Sequence, residues 1–491
     1  MREQAEVYMH FTDCFEVDPT LLDSYGAFDV SLVNDLPLFI DPFLLFNSEK
    51  DEYRAQHESM IRYLRFLRDE AIRGATSEAL IGAWYTFPEL KQMWLGFSQT
   101  GNAGRGLGRD FASSLHRNLN TIFSSFGNEV VTRGSHIEKL TLIRDGVGRD
   151  KISDFTTNLI KEYLLCYTEQ FAKAHLQPHR TSRFAVRKVR FNYETESWES
   201  GLFVLPRWRE DFVILTPKDM LTRDDMWISR SDMMRQFEQI VYALPNDQLR
   251  AQLNRYLKRV LPAKPTAPEK RAAITLAARQ YPELLEYYIR FKEDRGDEAV
   301  SMSEERVARA NDFFVDQARV LKSHLLRHTQ FYDLVGDTLA EARQRVEFLK
   351  DVVENKGGWR VFYVHGKPVR REKDVQILYR LTWNGTPSDV SREVDNGRGP
   401  ADFKISRGAL DKSIVEFKLA SNPQLRRNLE KQVEIYKKAS DADEALKVIV
   451  YFTEDEYGRV LGILDELGIR RDPNVILMDA RSDNKPSASK A

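Results

Sequence analysis

Asp402, Glu416 and Lys418 are the residues of this 491-residue chain best spaced to do chemistry together. Asp402 stands in Gly399-Pro400-Ala401-Asp402-Phe403-Lys404-Ile405, and the other two in Val415-Glu416-Phe417-Lys418-Leu419. Side chains alternate faces along a strand. Read as two short strands, the first sets Asp402 and Lys404 against Ala401, Phe403 and Ile405. The second sets Glu416 and Lys418 against Val415, Phe417 and Leu419. Pairing the strands brings two carboxylates and an ammonium together above an apolar underside. Two carboxylates suit Mg2+, a hard cation that takes oxygen ligands and keeps several waters. Such an ion acidifies a bound water and polarises a phosphoryl oxygen. A lysine beside it can hold the attacking water or offset charge developing on the phosphate. The chemistry implied is phosphodiester hydrolysis. Asp and Glu-x-Lys also meet by chance on solvated strands, so the surrounding elements carry the argument.

Upstream, Pro368–Trp383 reads as a helix with Glu372 in or near its first turn. Glu372, Val375, Tyr379 and Thr382 recur at helical spacing on one face, so Glu372 can point inward with the apolar residues. Candidate strands follow at Asp389–Val394, around Asp402 and around Glu416. Ser421 or Asn422 can cap the next helix, with Pro423 at its first position. Leu425, Leu429, Gln432 and Tyr436 share a face of that helix, where a glutamine needs a polar partner. Leu446–Phe452 is the continuous apolar run expected of a strand covered on both faces. A helix near Glu454–Leu467 and a strand at Val475–Met478 close the series. The order helix, three strands, helix, strand, helix, strand predicts a three-layer α/β domain.

With those motifs, residues from about 357 to 480 resemble the PD-(D/E)XK, or restriction-endonuclease-like, nuclease superfamily. The resemblance maps the family's acid, acid and lysine onto Asp402, Glu416 and Lys418, and its helical glutamate onto Glu372. The Gln-x-x-x-Tyr element of the RecB-like branch matches Gln432 and Tyr436. One departure is that Ala401 separates Pro400 from Asp402; another is that Glu393 on the preceding strand competes with Glu372 to approach the metal. The resemblance implies a Mg2+-dependent nuclease, with Mn2+ able to substitute. Asp402, Glu416 and Glu372 are then the metal ligands, Lys418 positions water, and Gln432 and Tyr436 orient the site or the nucleic acid. DNA is expected as substrate ahead of RNA. The competing readings are a nucleic-acid-binding or scaffold protein that keeps the nuclease fold without turnover, and an RNase effector.

The length predicts several domains, and 42% hydrophobic with 30% charged residues is ordinary for a water-facing globular chain. A net charge of −1 means that phosphate affinity must be local rather than global. Arg398, Lys404, Arg407, Lys412, Arg426, Arg427 and Lys431 offer one such run, with a solvated face as the equal alternative. Two distant cysteines, Cys14 and Cys166, argue for a reducing compartment and against a disulfide framework. No apolar run is long enough to span a bilayer, and no signal-like segment opens the sequence. A cytoplasmic protein without membrane contact is expected, and a homo-oligomer is plausible because paired sites can cut both strands.

The expected architecture is multidomain α+β: a large, mostly helical N-terminal region with a small β-rich segment, then the three-layer domain. Its divisions are 1–180, an α/β region; 181–262, a β-meander plus helix; 263–355, a helical connector; 356–480, the nuclease domain; and 481–491, a disordered tail. Helices are predicted at Glu49–Arg73, Ser77–Leu95, Asp110–Phe126, Thr156–His175, Ser231–Leu261, Pro268–Glu293 and Ser303–Val353. Breaks are expected at 262–268, near Arg295–Ser303 and near Asn355–Gly358. Gly101–Gly108 lacks the Gly-Lys-Ser/Thr ending of a phosphate loop. His324 and His328 lack the glutamate of a zinc protease motif. Asp145, Asp150 and Asp154 read as turn and capping chemistry. Phrases such as Leu38-Phe39-Ile40-Asp41-Pro42 and Ile152-Ser153-Asp154-Phe155 resemble uncharacterised bacterial proteins. A nuclease joined to a large regulatory region resembles anti-phage defence effectors, the Shedu type among them, by architecture alone.

Overall fold

The apolar run around Val448 and the alternating run around Glu416 become neighbouring strands of one sheet. A computed structural model describes residues 8–74, 76–96, 107–122, 126–127, 129–143, 148–262, 265–331, 337–383, 389–391, 403–407, 411–430 and 444–485. The C-terminal sheet contains β1 (Asp389–Ser391), β2 (Phe403–Arg407), β3 (Asp411–Leu419), β4 (Glu444–Tyr451) and β5 (Val475–Asp479). They lie in the order β5-β4-β3-β2-β1. β1, β2 and β3 are antiparallel neighbours, whereas β3, β4 and β5 run parallel. On β4, Leu446, Val448 and Val450 enter one apolar cluster while Ile449 and Tyr451 enter another. Both faces are therefore covered, as an uninterrupted apolar strand requires.

Helices α1 (Thr338–Asn355) and α2 (Glu372–Thr382) cover the first face, and α3 (Glu454–Glu466) with a short helix at 425–430 covers the second. α1 starts at Asp337, whose side chain accepts from Ala340 N at 2.7 Å. Thr453 caps α3 in the same way, and Glu454, Asp455 and Glu456 in its first turn suit the positive end of the helix. Arg345 locks α1 to the end of α2. Fully buried, it holds Glu341 at 2.7 Å and lies 4.6 Å over the rings of both Phe331 and Trp383.

The N-terminal region is mostly helical, with Asp51–Arg73 its longest helix. A hairpin of Thr181–Asn192 and Ser197–Trp208 changes register between Val186 and Arg190, beside Lys188 with φ 51°. Leu38–Ile40 pairs antiparallel with Leu221–Arg223. The main core is continuous from Phe11 and Leu38, through Phe314 and Leu325, to Tyr379, Phe417 and Val448. Helices between Arg230 and Asn311 pack around a second cluster with Leu253, Ile274 and Tyr288. Among the described residues no helix is long and apolar enough to cross a membrane.

Several elements differ from expectation. The helix expected over Ser77–Leu95 ends at Tyr85; Thr86 is extended and Phe87 bridges Leu107, because a residue before proline avoids the helical region. The Thr156–His175 helix begins earlier and divides at Ile160 into Arg149–Leu159 and Lys161–His175. The break expected near Arg295–Ser303 is confined to Asp294 and Arg295, and the helix Gly296–Asn311 follows at once, its Gly296 so close to Asn47 that a Cβ there would clash. The following helix carries a π turn at Asp312–Asp316 before Gln317–His328. Most of the Gly101–Gly108 loop lies outside the described residues.

Candidate functional site

Strand alternation sorts β3 as its pattern predicts. Val415, Phe417 and Leu419 enter the core beneath α2, with the Tyr379 ring 4.7 Å from Phe417 and 5.4 Å from Phe403. Glu416 and Lys418 point the other way and are nevertheless buried, with side chains 2% and 11% exposed. Lys418 Nζ lies 2.9 Å from Glu416 Oε2. It also lies 3.7 Å from Glu372 Oε2. Among the described residues one ammonium thus faces two carboxylates, one from a strand and one from a helix. At this burial the pairing offsets the large cost of taking charge from water.

Glu372 is the first residue of α2. Its Oε1 accepts from Asn422 Nδ2 at 2.7 Å and from Leu419 N at 3.3 Å, so Oε2 is the oxygen turned toward Lys418. Asn422 does two jobs, because its Oδ1 also accepts from Gln424 N at 2.8 Å ahead of the 425–430 helix. The sequence marked Asn422 only as a cap; its contact with Glu372 joins residues fifty apart and has no local signal.

The base of α2 is seated on the N-terminal region. Arg223 Nη2 donates to Asp374 Oδ1 at 2.7 Å, both side chains being nearly buried, and the guanidinium lies 5.1 Å from the Phe314 ring in the π turn. Arg371 bonds Asp224 and lies 3.4 Å from Asp374 Oδ2. Asp224 adopts a left-handed φ of 80°, a conformation aspartate tolerates better than most residues. Burial opposes ionisation of Asp224, yet the hydrogen bond and charge of Arg371, with Arg223 and Arg306, hold its carboxyl below the ordinary range. Burial likewise opposes charge on Arg371, and Asp374 and Asp224 outweigh it, raising its pKa. These four charged residues fix where Glu372 leaves the helix.

Of the expected site residues, the structure brings Glu372, Glu416 and Lys418 together. Asp402, Gln432 and Tyr436 lie outside the described residues, as does Glu393. Asp402 precedes Phe403 in the chain, Glu416 follows Val415, and Phe403 pairs with Val415. Among the described residues no group of three His, Cys, Asp or Glu side chains could hold a metal ion. The oxygen donors of Glu416 and Glu372 are the type that Mg2+ takes.

Residues 16–229 match a family model described as a domain of unknown function (DUF8370), and residues 338–454 match a second, also a domain of unknown function (DUF8371). The second match begins at the first residue of α1. The first ends at Ser229, the N-cap of the helix Arg230–Ala243. No curated protein and no solved structure matches the chain.

Proposed function

We propose that the C-terminal region is a restriction-endonuclease-like, Mg2+-dependent nuclease acting on DNA. The observation that carries this reading is the convergence of Glu372 and Glu416 on Lys418, at 3.7 and 2.9 Å. Its support is the sheet beneath, three antiparallel strands continued by two parallel ones, with helices on both faces. Because α1 packs across that sheet, the proposed domain extends from Thr338 to about 480 rather than starting at 356.

Asp402 and Glu416 would hold the metal, with Glu372 as the further acid. Bound Mg2+ would supply Lewis acidity and a more acidic water. Lys418 holds the attacking water and offsets charge on the scissile phosphate. The water oxygen forms the new bond to phosphorus, one ester P–O bond breaks, and the leaving oxygen takes a proton. Asn422 orients Glu372, and Gln432 and Tyr436 orient the site or the nucleic acid. The N-terminal region, which seats α2 through Arg223 and Asp224, controls access or selects the substrate feature, a role suited to defence against invading DNA.

The test is incubation of the full chain with linear, supercoiled and single-stranded DNA, and with RNA, in Mg2+, Mn2+ or EDTA. Metal-dependent cleavage of DNA is expected. Cleavage confined to RNA would reassign the substrate, and binding without cleavage in either metal would favour a nucleic-acid-binding scaffold.

A further inference from the structure

The helix Asp51–Arg73 buries Tyr53, His57, Met60, Ile61 and Leu64 and turns Arg54, Arg62 and Arg65 to solvent. Positions 54, 58, 62 and 65 follow one another at steps of three and four and share one face. That face is one wall of a groove of about 840 Å³. Gly127, Glu129 and Arg133 to Ser135 form another wall, while Phe46 and His57 also line the groove. Four guanidinium groups meet two carboxylates there, those of Glu58 and Glu129. Glu129 is already engaged, accepting from Gly127 N at 3.0 Å and from Ser135 Oγ.

The arginines are held in place without all being neutralised. Arg54 is paired with Asp51, and Arg133 with Asp294 at 2.6 Å. Arg62 lies 4.1 Å over the Tyr193 ring, a contact that leaves the in-plane N–H groups of a guanidinium available. Arg65 lies so close to Gly127 that a Cβ there would sit 2.6 Å from its Cζ. Gly127 also has φ +86°, so glycine is required twice over. Neither Arg62 nor Arg65 pairs with a carboxylate among the described residues.

A second observation is independent of the surface charge. His57 is 5% exposed, and among the described residues its Nε2 has no hydrogen-bond partner. Burial, with His136 nearby, pushes its pKa down to about 3, so the ring is neutral and offers one unsatisfied polar atom beside the groove. An unsatisfied buried polar group is costly. Its position among arginines suits a ligand with polar, acidic groups better than an apolar one.

We propose that this groove binds a phosphate-bearing small molecule of nucleotide size, with Arg62, Arg65 and Arg133 on its phosphates and Phe46 and His57 beside its remaining portion. Arginine forks match phosphate oxygens two at a time. The volume lies within the roughly 300–1,000 Å³ of small-molecule sites.

The experiment is calorimetric titration of the full chain with ADP, inorganic pyrophosphate and adenosine, beside Arg62→Ala and Arg65→Ala. Circular dichroism confirms that each variant is folded, and Arg65→Lys keeps charge while removing the fork. Binding of ADP or pyrophosphate that falls at least tenfold in both alanine variants, weakens in Arg65→Lys and weakens with added salt supports the site. ADP tighter than pyrophosphate assigns the base a place in the groove; equal affinity assigns the site to the phosphates alone. No binding of either, equal binding by the variants, or adenosine binding as tightly as ADP overturns the proposal. The readout involves no DNA cleavage, so its failure leaves the nuclease reading standing, and the reverse.

Discussion

The Glu416–Lys418 pair on β3 is buried and fixed on a strand, whereas Arg54, Arg62 and Arg65 of the Asp51–Arg73 helix stand in solvent along one face. Glu416 and Lys418 are 2% and 11% exposed in their side chains and touch one another directly. Arg62 and Arg65 are exposed and held by a ring and by a glycine instead of by acids. Burial makes each charge depend on its partner, because an unpaired buried ion is costly. Exposure leaves Arg62 and Arg65 screened by salt and open to a ligand. On the proposed readings, the difference separates a preorganised reaction centre from a surface that captures anions.

The sharpest break in the comparison is expected at Glu416. Glu416→Gln keeps the shape and removes the charge; on the nuclease reading, DNA cleavage falls by about 10³-fold. Gel assays at saturating Mg2+ check this, and near-full activity would remove Glu416 from the metal set. Next is Arg223→Ala, which removes the donor to Asp374 Oδ1 and leaves Arg371, 3.4 Å away, to hold that buried carboxylate; it is expected to lower stability by about 2 kcal/mol in urea titrations. A loss under 1 kcal/mol would mean that α2 is seated mainly by its apolar face.

A third effect is set by pH. Glu138 is fully buried, and burial, with the charge of Asp41, pushes its pKa up to about 8 from an ordinary 4.5. Burial also pushes Asp41 itself up to about 6, and His136 Nδ1 lies 3.9 Å from Glu138 Oε2. Between pH 4.5 and 8 the unfolded chain releases a proton that folded Glu138 retains. Stability therefore declines across that window as pH rises and levels off above it. Glu138→Gln should make the decline shallower, since Asp41 still contributes up to about pH 6, and should leave the variant more stable than the parent by on the order of 2 kcal/mol at pH 8. Thermal melts from pH 5 to 8.5 check the sign, and parallel curves would refute it. The smallest effect is expected at the groove, where Arg62→Ala should change stability by less than about 0.5 kcal/mol in the same melts. A larger loss would mean that its stacking on Tyr193 is structural.

What was legible in the sequence follows how local the signal is. β4 is legible because an unbroken apolar run depends only on adjacent residues, and the helix expected near Glu454–Leu467 is α3. Glu416 and Lys418 were legible as a pair because alternation puts both on one face. Glu372 was legible as inward-facing, and Oε2 does turn toward Lys418. Its bond to Asn422 and the seating of Arg371 on Asp224 were not, since each joins residues remote in sequence. The helix expected over 77–95 stops at Tyr85, and Pro88 is the local signal for that stop. The π turn at Asp312–Asp316 left no mark because Phe313, Phe314 and Val315 fit an ordinary helical pattern equally well. The arginine groove has no local signal either: Arg54, Arg62 and Arg65 share a helix face, and only the fold places Arg133 and His57 beside them.

The central claim is that Lys418, between the two glutamates, belongs to a reaction centre and is not merely a buried ion pair. The direct measurement is the rate of Mg2+-dependent cleavage of linear and supercoiled DNA by the full chain and by Lys418→Ala, with circular dichroism and thermal melts on both. The account predicts cleavage by the parent, abolished by EDTA, and at least a 100-fold loss in a variant that remains folded. Absence of metal-dependent cleavage by the parent, or equal rates in a folded variant, would contradict it.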